Sequence, residues 1–107
     1  MSQDTFILVG TTPIPLVDPI EWAQWFEMSD RIVENTEIEG YRISTIFLGL
    51  NHNFSGKGPP LLFETMIFPS DSFRDLYCAR YTTWDEAQLG HRYAVEHYQE
   101  LLESQYA

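Results

Sequence analysis

The central part of the chain carries two strongly apolar runs of the kind that form β-strands. They are YRISTIFLGL at 41–50 and LLFETMIF at 61–68, both rich in β-branched and aromatic residues. A polar stretch with glycine and proline, NHNFSGKGPP at 51–60, separates them and predicts a loop. The pattern therefore predicts two neighbouring strands joined by a long connection.

Two further runs extend this pattern on either side. Residues 31–38 interleave β-branched and polar positions, and Glu39-Gly40 then offers a tight turn into the strand at 41–50. LYCARY at 76–81 supplies one more strand after a polar segment. Because the four runs follow one another directly, we predict an antiparallel meander.

Helical periodicity flanks the strands at both ends. Asp18 can cap a first helix that runs to about Ser29, and Thr83 with Glu86 forms a capping box at the start of a second. The aromatic stripe of the first helix consists of Trp22, Trp25 and Phe26, and we interpret it as a packing face. The apolar stripe of the second helix consists of Trp84, Ala87, His91, Ala94, Val95, Tyr98, Leu101 and Leu102.

The amino-terminal residues 1–17 predict an extended arm. FILVG reads as a short strand, and Pro13 and Pro15 in the following TTPIPLVDP favour an extended connector. The predicted fold is therefore α+β: an antiparallel four-stranded meander, five-stranded if FILVG joins it, with one helix before and one after. The whole chain, 1–107, is predicted to be a single domain.

Both faces of the two central strands are predicted to be apolar. In YRISTIFLGL one face would carry Ile43, Thr45 and Phe47 and the other Ile46, Leu48 and Leu50. In LLFETMIF one face would carry Leu61, Phe63, Thr65 and Ile67 and the other Leu62, Glu64, Met66 and Phe68. Two helices offer little to cover both faces, and soluble monomers seldom expose a large apolar patch. We therefore predict a homo-oligomer.

Composition narrows the function classes. The chain has 16 acidic and 6 basic residues and a formal net charge of −10, which repels phosphate backbones, so no nucleic-acid partner is expected. A cationic partner fits this charge. No apolar stretch approaches the roughly 20 residues of a membrane helix, and the single cysteine, Cys78, leaves no internal disulfide. These features predict a cytoplasmic protein without a membrane partner.

The loop at 51–60 is the strongest candidate for a binding surface. Long loops on rigid strands often carry function, although Asn and His side chains also close turns through local hydrogen bonds. The loop contains an aromatic ring, two amides, an imidazole and the only lysine of the chain. The predicted binding residues are Asn51, His52, Asn53, Phe54 and Lys57.

An acid–base enzyme is the alternative hypothesis. It would use His52, Glu64 and His91, because a carboxylate and an imidazole among apolar neighbours can have shifted pKa values. Against it, Glu64 is expected to pair with Arg42 or Arg80, and a histidine on an apolar stripe is more often a hydrogen-bonded core residue. No motif predicts a cofactor, a metal centre or a reactive thiol.

Three segments, FLGLNHNF, GPPLLFETMIF and RYTTWDEAQLGH, resemble a family of small uncharacterised proteins encoded by bacteriophages and prophages. The resemblance extends from about Trp22 to Ala94 and implies a bacterial host but no particular chemistry. Members often carry Asp where this chain has Asn51, which argues against a metal or acid–base role at that position. The resemblance favours an accessory protein that binds a host protein or a small ligand, with counter-defence as one such role.

Overall fold

Residues 4–105, which the computed structural model describes, form two helices and six strands. In chain order these are β1 (Phe6–Val9), β2 (Thr12–Pro15), α1 (Pro19–Met28), β3 (Ile32–Ile38), β4 (Tyr41–Phe47), β5 (Phe63–Pro69), β6 (Tyr77–Tyr81) and α2 (Trp84–Gln105). Strands β3 to β6 form one antiparallel sheet in the order β3-β4-β5-β6. The predicted α+β fold, a four-stranded meander with a helix before and a helix after, is confirmed.

The amino-terminal arm forms a separate hairpin and does not add a fifth strand to the sheet. β1 pairs with β2 in a two-stranded antiparallel sheet, in which Pro13 lies opposite Leu8 and Pro15 opposite Phe6. The segment TTPIPLVDP, predicted as an extended connector, is extended at 12–15 and also forms a paired strand there. Proline is tolerated there because β2 is an edge strand, where a missing N–H need not interrupt a ladder. Residues 1–3 of the predicted arm lie outside the described residues.

Both helices begin at the predicted caps. The Asp18 carboxylate accepts hydrogen bonds from the amides of Ile20, at 2.9 Å, and Glu21, at 3.2 Å. At the start of α2 the Glu86 amide donates to the Thr83 hydroxyl at 3.1 Å, and the Thr83 amide donates to the Glu86 carboxylate at 3.0 Å. These bonds satisfy amides that have no partner inside the helix, a contribution of about 1 kcal/mol for each cap.

Helix α2 packs across one face of the sheet and builds the core. The fully or nearly buried apolar side chains are Phe6, Ile43, Phe47, Leu62, Phe63, Ile67, Ala87, Ala94, Tyr98 and Leu102. Burial of a large apolar side chain contributes about 1.5–3 kcal/mol, so this layer is a main source of stability. The small residue Gly90 lets the helix approach β6, because a Cβ there would overlap the Tyr81 ring.

The first helix and the β1–β2 hairpin close one end of that same layer. The Trp25 ring meets Phe47 edge-on at 5.8 Å, and Phe6 belongs to the same buried cluster as Phe47 and Phe63. Trp22, Trp25 and Phe26 are only half-buried, so the aromatic stripe packs against the core without entering it.

The opposite face of the sheet is mixed in character, which corrects the prediction of two apolar faces. Glu64 lies there between Ile46 on β4 and Arg80 on β6, and Leu62 turns instead into the core cluster. The alternation of β5 places Phe63, Thr65 and Ile67 under α2 and leaves Glu64, Met66 and Phe68 on the other side. In the described part of the chain neither helix packs on this face.

Candidate functional site

The loop at 51–60, called the 51–60 loop below, is held in shape by two asparagine side chains. Asn51 Oδ1 accepts hydrogen bonds from the amides of Asn53 at 2.8 Å and Leu61 at 3.1 Å, and so ties the two ends of the loop together. Asn53 Nδ2 donates to the carbonyls of Lys57 at 2.7 Å and Pro59 at 2.9 Å. The predicted binding residues Asn51 and Asn53 thus use their side-chain groups inside the loop.

The remaining predicted binding residues point their side chains outward. Phe54 is 82% exposed, and its ring lies 5.6 Å from the His52 ring. His52 Nδ1 lies 2.9 Å from the Leu50 carbonyl, which can only accept, so Nδ1 carries the proton and Nε2 is free to accept in the neutral ring. Lys57 is exposed. The loop therefore presents an aromatic ring, an imidazole and an ammonium on a hydrogen-bonded frame.

The base of the loop is fastened to the amino-terminal segment. The Asn51 amide donates to the Asp4 carbonyl, and the Phe6 amide donates to the Gly49 carbonyl, both at 2.9 Å. The indole N–H of Trp22 lies 3.0 Å from the Phe6 carbonyl and 3.2 Å from that of Gly49. Gly49 has a φ of +76° and lies against the α1 aromatics, so a larger residue would be strained and crowded.

A cavity of about 460 Å³ opens beside this junction. It is lined by Asp4, Leu50, Asn51, His52, Asn53, Phe54 and Gly56. A second cavity of about 160 Å³ shares Asp4, Asn51, Asn53 and Gly56 with it and reaches Lys57. Asp4 was not among the predicted residues, because the loop approaches it through the bridge of the neighbouring Thr5 to Leu50, a long-range contact that no local pattern reveals.

His91 lies in a separate, buried polar network between α2 and the sheet. The side chain is 2% exposed, with Nδ1 at 2.7 Å from the Thr45 hydroxyl and Nε2 at 2.9 Å from the Thr36 hydroxyl. Thr45 in turn contacts the Thr65 hydroxyl at 2.5 Å. Burial lowers the pKa of His91, against a weaker opposing effect of Glu34, whose carboxylate is 3.6 Å from Nε2. Each ring nitrogen thus has a hydroxyl partner.

Glu64 is paired on the uncovered face. Its carboxylate lies 2.8 Å from Arg80 Nε and 3.5 Å from the Cys78 thiol. Desolvation and then the neighbouring Glu64 charge raise the pKa of Cys78 to about 11, which keeps the thiol protonated near neutral pH. Of the two arginines predicted as partners, the register selects Arg80, because it lies directly opposite Glu64.

The structure does not bring the three residues of the acid–base alternative together. His91 bonds Thr45 on the face covered by α2, whereas Glu64 lies opposite Ile46 on the other face. His52 lies in the loop beyond the end of β4. The backbone of the sheet therefore separates Glu64 from His91, and a shared reacting atom about 3 Å from both is sterically excluded.

Residues 4–105 contain neither a cluster of metal-ligating side chains nor a helix of the membrane-spanning kind. No group of three or more His, Cys, Asp and Glu side chains in this range could hold a metal ion. Within the same range, no helix is both long and apolar enough to cross a bilayer.

Comparisons with family models, with curated proteins and with solved structures found no match to this chain. The resemblance of its motifs to phage and prophage proteins therefore stays a prediction, and the geometry of the 51–60 loop carries the functional argument.

Proposed function

We propose that the protein acts by binding another protein and that the 51–60 loop is its recognition surface. The observation that carries this proposal is Phe54, an aromatic side chain left 82% exposed on a loop whose shape is fixed by hydrogen bonds to Asn51 Oδ1 and from Asn53 Nδ2. Aromatic residues are enriched among interface hot spots, and a pre-organised loop loses little entropy on binding. His52 and Lys57 supply adaptable polar contacts beside it.

The charge of the chain supports a partner with a basic surface. A net charge of −10 gives a field that attracts cationic surfaces and raises their association rate. Asp4 and Phe54 both line the loop cavity, which therefore has an acidic and an aromatic residue in its wall. A cationic side chain of the partner would meet both the carboxylate and the face of the ring there.

The setting that fits this activity is the cytoplasm of a bacterial host. Its support is the likeness of FLGLNHNF and GPPLLFETMIF to motifs of phage-encoded accessory proteins. A host protein is then the partner, and inhibition of a host defence protein is the role we favour.

Binding of a small ligand is the second candidate function, and the cavity of about 460 Å³ beside the loop favours it. This volume lies in the range of pockets that take small molecules. A small ligand would involve Asp4 and His52 in the cavity and would not require the outward face of Phe54. The acid–base enzyme has no comparable support, since the sheet separates Glu64 from His91.

Capture from a bacterial host lysate, quantified by mass spectrometry, tests the proposal. The bait is the tagged full chain, compared with Phe54→Ala and with Leu89→Ala, a matched control that removes an exposed apolar side chain from α2. A partner that uses the loop should be retained by the wild type and the control and reduced about tenfold or more by Phe54→Ala, as expected for a hot spot. Equal retention by all three baits would exclude the loop as the recognition surface.

A further inference from the structure

The face of the sheet that α2 leaves uncovered carries several partly exposed apolar side chains beside its polar ones. Ile46, Met66 and Phe68 lie there half-exposed on the two central strands, and Ile32, opposite Ile46 on β3, is 57% exposed. Phe73, in the connection after β5, is 89% exposed and lies with Phe68 around the Arg42 guanidinium. Apolar side chains grouped in this way on a sheet are typical of a protein interface.

The charged groups on this face are arranged in opposite-sign neighbours. Glu64 and Arg80 form an ion pair at 2.8 Å, and Glu37 on β3 lies directly opposite Arg42 on β4. The four charges that the strands place on this face therefore sum to zero, although the chain as a whole carries −10. Glu64 and Arg80 neutralise each other in contact, and the Arg42 guanidinium lies over the Phe68 and Phe73 rings. Burial of these four side chains would therefore add no net charge to an interface, and a buried unpaired charge is the costly outcome there.

The outer side of α2, unlike the uncovered sheet face, is strongly acidic. Five exposed carboxylates and one guanidinium lie along this helix: Asp85, Glu86, Arg92, Glu96, Glu100 and Glu103. Two copies of the chain would repel each other strongly through such surfaces. The strands of the uncovered sheet face, with two acidic and two basic side chains, would produce less of this repulsion than the outer side of α2.

From the balanced strand charges and the partly exposed apolar side chains of this face we propose that it packs against the same face of a second copy, so that the protein is a symmetric dimer. Two copies of this acidic chain would repel each other least through a face without net charge. A basic partner would instead be attracted to the acidic surfaces. In face-to-face packing, with the two sheets about 10 Å apart, Met66 and Phe68 of each copy fill the space between them. The dimer is independent of the recognition role, because the 51–60 loop lies beyond the end of the strands.

Light scattering coupled to size exclusion tests the dimer. The wild type should show twice the 12.5 kDa chain mass across micromolar concentrations, with a dimer fraction that rises with salt as repulsion is screened. Met66→Lys should be monomeric, and Leu89→Lys, with the same charge change on the outer side of α2, should remain dimeric. Both variants also lower the net negative charge, so loss of the dimer in Met66→Lys alone would assign the interface to the sheet face.

A measurement on the wild-type chain tests the dimer without relying on a variant that could fail to fold. Cys78, the single cysteine, lies exposed on this face in one chain, so its alkylation should slow as the protein concentration rises through the dimerisation range. A monomeric mass at all micromolar concentrations, or a dimer that persists unchanged in a folded Met66→Lys, would overturn the proposal. So would an alkylation rate that does not depend on protein concentration.

Discussion

The Nδ1 atom of His91 on α2 lies 2.7 Å from the hydroxyl of Thr45 on β4, and the bond joins the last helix to the centre of the sheet inside the core. With Thr36 on the other ring nitrogen, the imidazole is satisfied in its neutral form. A buried polar group is costly when it lacks a hydrogen-bond partner. A shift of α2 along the sheet would break these bonds, so the network holds the helix in one position.

We expect the stability of the protein to fall as the pH is lowered from 7 to 5. Burial lowers the pKa of His91 in the folded state, so the unfolded chain takes up the proton first and is favoured below the ordinary histidine pKa of about 6.5. The slope for one proton is at most about 1.4 kcal/mol per pH unit. Urea unfolding at several pH values measures it. His91→Gln should lose most of the slope, and His52→Ala, a change in the exposed loop, should keep it.

Gly90→Ala should destabilise the protein even though alanine favours helix by about 1 kcal/mol. A Cβ at this position overlaps the Tyr81 ring, which would have to move away from the helix. We expect a net loss of at least about 1 kcal/mol in the free energy of unfolding. Leu89→Ala, one position earlier and exposed, serves as the control and should change stability by less than about 0.5 kcal/mol. A more stable Gly90→Ala variant would show that the contact of α2 with β6 is looser than the structure has it.

Asn53 and His52 should respond differently to replacement by alanine. Asn53 bonds the Lys57 and Pro59 carbonyls and accepts from Ser55, so its loss should destabilise the fold or loosen the loop by about 1–2 kcal/mol. His52 contributes one exposed bond to the Leu50 carbonyl, and its loss should cost less than about 1 kcal/mol. Chemical denaturation of the two single variants distinguishes a residue that holds the loop in shape from one that is exposed for contact with a partner. Equal effects would assign both residues to the same role.

Glu64→Gln should make the Cys78 thiol more reactive at neutral pH. Desolvation, followed by the Glu64 charge, raises the thiol pKa to about 11, and the substitution removes the second cause. Arg80 then loses its partner, but its side chain is 36% exposed and can turn to water, so the stability loss should stay near 1–2 kcal/mol. The pH dependence of alkylation measures the pKa directly. An unchanged profile in the variant would mean that burial alone sets it.

The helices and the order of the strands could be predicted because they depend on local chemistry. Asp18 and Thr83 cap α1 and α2 as their sequence context indicates, and the Glu39-Gly40 turn, with φ values of 49° and 85°, joins β3 to β4 as expected. The pairing of 12–15 with β1 was missed because proline patterns do not reveal whether an extended segment has a free edge beside it.

The site was predictable in part. The loop follows from composition, but the exposure of Phe54 and the inward use of Asn53 depend on the folded loop, in which the Lys57 and Pro59 carbonyls accept from Asn53. Likewise, a strand pattern states that Glu64 and Thr65 lie on opposite faces, but not which face receives α2. That choice decides whether His91 meets a carboxylate or the Thr45 hydroxyl, and it depends on packing across the whole sheet.

The central claim, that the 51–60 loop is the recognition surface, is tested most directly by amide hydrogen exchange of the chain with and without its captured partner. We predict that protection on binding is concentrated in 51–60 and in the amino-terminal segment around Asp4 that fastens it. Protection confined to α2 or to the strands, with the loop unchanged, would contradict the claim.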